Sequence, residues 1–109
     1  QCAVDIRRAE DDVSDIKEYL GKDQASLNEL INEKQNKISS VTDQINSLIS
    51  QFPELQSQKD QLISGATSSI DNSYSSRISL AQSKVDQGNK NLEVAEEKLE
   101  TLRKECEIK

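Results

Sequence analysis

Apolar side chains recur at alternating steps of three and four from one end of this chain to the other. The first half reads Ile6, Ala9, Val13, Ile16, Leu20, Leu27, Ile31, Ile38, Val41, Ile45, Leu48 and Phe52. The second reads Leu55, Leu62, Ala66, Ile70, Tyr74, Ile78, Ala81, Val85, Gly88, Leu92, Ala95, Leu99, Leu102 and Cys106. That spacing returns one face of a helix, whereas a half-buried strand needs a period of two, and no stretch alternates for long enough. An additional four-residue step near Leu27 and Ile31 is a stutter, and the seam loosens between Leu62 and Tyr74. The pattern specifies an all-α chain whose narrow apolar stripe must find another helix to bury against.

The other helix is the second half of the same chain. With 109 residues, 33% of them hydrophobic, three aromatics and no Trp or Met, there is little bulk for a globular core. The only proline, Pro53, lies near the midpoint within Ser50-Gln51-Phe52-Pro53-Glu54. It disfavours helix at Phe52 and suits the first turn of a new helix, where Glu54 meets the positive end of the helix dipole. The expected fold is an elongated antiparallel coiled-coil hairpin forming one helical domain over 1–109. Arm one covers about 3–51, the turn about 50–54 and arm two about 54–107. Arms of roughly 50 residues would run about 75 Å at 1.5 Å per residue.

If the arms fold back, the numbers of facing residues add to a constant, and about 108 serves best. It sets Ile6 against Leu102, Ala9 against Leu99, Val13 against Ala95, Ile16 against Leu92, Ile38 against Ile70 and Leu20 against Gly88. The same constant sets Cys2 opposite Cys106, which favours an interarm disulfide over two free thiols. Closing so long a loop contributes on the order of 4 to 5 kcal/mol in the chain-entropy treatment, at the end of the hairpin that frays first. The bridge in turn points to a secreted or extracellular protein. If Gln1 is a mature start it would follow removal of a signal peptide; no leader is present in the sequence to be read, and no Asn-X-Ser/Thr sequon occurs.

An alternative fold bends both arms at Gly21 and Gly88 to give a fold-back bundle of four shorter helices. Ser26-Leu27-Asn28-Glu29 has capping-box form and could restart a helix there. The Ser64-Gly65-Ala66-Thr67-Ser68-Ser69 stretch has poor helix propensity, but Ile63, Ile70 and Tyr74 keep a usable seam, so it reads as the softest part of a continuous arm.

Charge and chemistry narrow the function. Twenty acids against fourteen bases give a net charge of −6, which offers no cationic field for nucleic acid. Apolar runs of two or three residues span no membrane. The absence of His removes Ser-His and Cys-His nucleophile pairs and the usual metal-bound water, so no enzyme, metal or cofactor is expected. Ser14-Asp15-Ile16-Lys17 spells SxxK on a charged helix face, and Glu10-Asp11-Asp12 with Asp15 lacks the glycine turn of a calcium loop.

Charges crowd residues 5–23 and 93–109, whereas 38–83 are rich in Ser and Gln. In that neutral half the apolar column doubles, at Leu30 beside Ile31, Leu48 beside Ile49, Leu62 beside Ile63, and Ile78 near Leu80. A two-helix seam cannot hide both members of each pair. The expected function is a secreted, non-enzymatic protein-binding module, such as an effector or inhibitor, with Ile31, Ile49, Phe52, Ile63 and Tyr74 as its partner-binding residues. Self-association into a structural rod or spacer, and carriage of an apolar ligand in an opened bundle, are the alternatives.

Overall fold

The computed structural model describes residues 1–108. Two α-helices account for nearly all of them: α1, Cys2–Gln51, and α2, Lys59–Ile108, each of 50 residues. They form an antiparallel helical hairpin, and no strand occurs among the described residues.

The chain reverses through Phe52 and a six-residue 3₁₀ helix, Pro53–Gln58. Phe52 leaves the helix at φ −126°, ψ 79°, outside the α region that a following proline disfavours. Its N–H still donates to the Leu48 carbonyl at 2.8 Å, and its own carbonyl accepts from the Leu55 N–H at 3.0 Å, so the corner satisfies its backbone as it turns. Pro53 occupies the opening position of the 3₁₀ segment, where its missing N–H costs nothing. The second α-helix thus begins at Lys59 and not near residue 54. The six residues in between are wound more tightly, which spends chain length on closing the corner.

Contacts gather the chain into two compact units, one of Gln1–Ser26 with the stretch from Ala81 onward, the other of Leu27–Leu80. In the first, buried Ala9, Val13 and Leu99 form a core against which Ile6, Leu92, Ala95 and Leu102 pack. These are the partners that the facing-number rule matches. The same rule holds at the end of the unit, where Cys2 and Cys106 are joined by a disulfide with Cα atoms 5.8 Å apart. Arg103 donates to Glu10 at 3.2 Å across the two helices, though both side chains are half exposed, which limits its contribution.

Both helices pass through Gly21 and Gly88 without interruption, so there are two helices and not four. Ser26-Leu27-Asn28-Glu29 lies inside α1, with Leu27 buried. Gly88 is a close-approach position: a Cβ there would stand 2.8 Å from Leu20 Cδ1. The missing side chain of Gly88 makes room for Leu20, which is how a hydrophobic residue comes to face a glycine in the seam. Gly21 and Gly65 meet nothing within 4 Å. Gly21→Ala and Gly65→Ala are therefore expected to stabilise the chain by about 0.5–1 kcal/mol each, the ordinary helix-interior gain. Gly88→Ala should gain less than either, because Leu20 must give way. Thermal unfolding of the three variants measures the ranking.

The second unit contains the most deeply buried large side chain among the described residues, Tyr74, at 1% exposure. Lys34 Nζ bridges the helices to Asp71 Oδ1 at 2.9 Å nearby. The Ser64–Ser69 stretch is helical throughout, as its flanking apolar residues require.

Candidate functional site

The residues expected to bind a partner divide into two groups. Tyr74 and Ile49 are buried within the Leu27–Leu80 unit. Their apolar area is already covered by the chain itself. Ile63 is half-buried, and Ile31 and Phe52 are exposed.

Tyr74 is the centre of a polar clasp between the helices. Lys37 Nζ stands 5.0 Å from the ring centroid and the Arg77 guanidinium 4.2 Å from it. The phenol hydroxyl donates a long 3.5 Å bond to Glu33 Oε2. At these distances the cationic heads themselves lie over the ring and help to cover it. Each cation also gains from the ring's negative face. Arg77 is fixed further by a 3.3 Å bond to the Ser73 carbonyl, one helical turn earlier. Glu33, Lys37 and Arg77 escape a reading that follows apolar residues alone. Their signal was available in a tyrosine at a seam position whose facing residues are polar.

Of the doubled apolar pairs, Leu48 and Ile49 resolve cleanly: Ile49 turns inward and Leu48 is 42% exposed. Leu48 lies one turn before Phe52, which is 47% exposed, and the Phe52 N–H donates to the Leu48 carbonyl. Ile78 is half-buried while Leu80 faces solvent, and Leu62 and Ile63 are both half-buried. Beside the corner, Asn46, Ile49, Ser50, Pro53, Gln56 and Lys59 line an open depression of about 560 Å³.

The Cys-end unit carries its own exposed apolar pair, Tyr19 and Val94, both on the edge of one groove between α1 and α2. Each sits next to a seam residue, Leu20 or Ala95, which is the same doubling seen at Leu48 and Ile49. On the other side of this unit an open groove of about 1050 Å³ holds Ser14 and Lys17 of the SxxK match together with Glu93, Glu96, Glu97 and Glu100. Among the described residues no group of three or more His, Cys, Asp or Glu is arranged to hold a metal ion. No helix among them is long and apolar enough to cross a membrane.

These features define a disulfide-closed antiparallel helical hairpin with solvent-facing apolar pairs at two places. Compared with protein-family models, curated proteins and solved structures, the chain matches none.

Proposed function

We propose that this protein is an extracellular, non-enzymatic binding module whose partner is another protein, engaged through the corner of the hairpin. The observation that carries the reading is the Leu48 and Phe52 pair, two large apolar side chains that are both exposed within one backbone turn of each other at the corner. The surrounding Ser and Gln side chains cost less to dehydrate than the charges of the other end. An aromatic beside an aliphatic residue, rimmed by neutral polar groups, is the composition found at the centres of protein interfaces. Pro53 fixes the backbone next to Phe52, so less freedom is lost when a partner closes over the ring. The extracellular placement rests on the Cys2–Cys106 bridge, a bond that persists in oxidising compartments.

The test is a binding screen of the oxidised chain against purified extracellular proteins, repeated with the double variant Leu48→Asp, Phe52→Asp. Any partner found should lose at least about tenfold in affinity for the variant, with helix content and disulfide unchanged. Partners whose affinity is untouched by the two substitutions would place the binding surface elsewhere.

A further inference from the structure

We propose that the Tyr19 and Val94 face of the Cys-end unit docks a second copy of this chain, in a two-fold arrangement that sets Lys98 of each protomer against Asp12 and Asp15 of the other. Tyr19 and Val94 are the most exposed large hydrophobic residues among those described, at 67% and 65%. They border one open cavity of about 410 Å³, floored by Ala9, Ile16 and Ala95. Exposed apolar side chains scattered singly are ordinary, whereas two sharing an apolar groove form a patch that association can bury.

The rim of that groove identifies the occupant. On the α1 side it carries Asp12 and Asp15, and on the α2 side Lys98. None of the three has an ion-pair partner among the described residues. A two-fold axis running along the groove lays α1 of one protomer over α2 of the other. The facing-number rule puts Lys98 level with about residue 10, within one helical turn of Asp12, so both rims meet a complement at once. The same rotation carries Tyr19 of each protomer toward Val94 of the other. A patch that is negative on one side and positive on the other complements itself under this operation. The groove on the opposite side of the unit does not: it holds Glu10, Glu93, Glu96, Glu97 and Glu100 against Lys17 and Arg103. A second copy there would meet carboxylate with carboxylate.

This dimer is separate from the binding surface at the corner, and the two are tested by different substitutions. Sedimentation of the oxidised full-length chain over a range of concentrations should reveal a monomer–dimer equilibrium. Tyr19→Glu with Val94→Glu should leave a monomer, while Leu48→Asp with Phe52→Asp should dimerise like the parent. Lys98→Glu alone, or Asp12→Lys with Asp15→Lys, should weaken the dimer about tenfold or more, and all three reversals together should restore it to within about threefold. These positions are exposed, and helix content with the disulfide-bonded mass verifies the fold of each variant. A chain that stays monomeric, a dimer indifferent to Tyr19 and Val94, one dissolved by the Leu48 and Phe52 substitutions, or charge reversals that do not rescue each other would overturn the proposal.

Discussion

Replacing Cys2 and Cys106 with serine is expected to lower the unfolding free energy by on the order of 4 to 5 kcal/mol, the largest effect of any change in this chain. The bridge spans a sequence separation of 104, nearly the whole polypeptide, so its removal frees the unfolded chain more than any shorter cross-link would. The native side of the balance is thin. The buried cluster next to the bridge consists of Ala9, Val13 and Leu99 with four partly buried neighbours, and two of these seven residues are alanines. Such a seam resists fraying weakly by itself. Urea unfolding followed by circular dichroism would measure the loss as a lower midpoint. Amide exchange should localise it, with protection falling first around Ile6 and Leu102 and last around Tyr74. An unchanged midpoint on reduction would mean that the ends stay together without the bond.

Tyr74→Ala should cost about 3–5 kcal/mol, as for other large aromatics removed from a packed interior. Its ring is the most deeply buried large side chain in the chain and the only buried aromatic. Tyr74→Phe should cost less than about 1 kcal/mol, because the hydroxyl's 3.5 Å contact with Glu33 is at the long limit of a hydrogen bond and the ring contacts with Lys37 and Arg77 remain. The two substitutions therefore separate packing from hydrogen bonding at one position. Fluorescence offers an independent check, since the chain has no Trp and its other tyrosine, Tyr19, is largely exposed. Quenching by acrylamide should reach Tyr19 readily and Tyr74 poorly, and Tyr74→Phe should leave only the accessible emission.

The pairing of the two helices was legible because it depends on spacing alone. Ile6, Ala9 and Val13 find Leu102, Leu99 and Ala95 through a period that any helix imposes, and Cys2 and Cys106 fall at the end of the same register. The fate of adjacent apolar residues was not. Between Leu48 and Ile49, or between Ile78 and Leu80, a rotation of a fraction of a turn decides which one is buried, and a seam with a stutter does not set that rotation. Ile49 and Tyr74 are accordingly buried while Leu48 and Phe52 are exposed, a distinction that spacing alone does not draw.

The glycines illustrate a different limit. A helix-interior glycine costs about 1 kcal/mol against alanine, which suggests a bend, yet two 50-residue helices absorb that cost and use Gly88 to seat Leu20. Likewise nothing in Glu54-Leu55-Gln56 forbids an α-helix. Its 3₁₀ winding answers to the geometry of the corner and not to local propensity. The clasp around Tyr74 lay hidden because its lid is made of charged residues, which count as polar in any hydropathy pattern.

The single reversal of the chain, with its two ends side by side, is tested most directly by tryptic mapping of the whole protein without reductant. Cleavage after Arg7 and after Lys104 releases Gln1–Arg7 and Glu105–Lys109, each containing one cysteine. The expected result is a single disulfide-linked pair of these two peptides, separating into its components only on reduction. Recovery of both as free thiols, or of each joined to its own duplicate from another chain, would contradict the hairpin's closure.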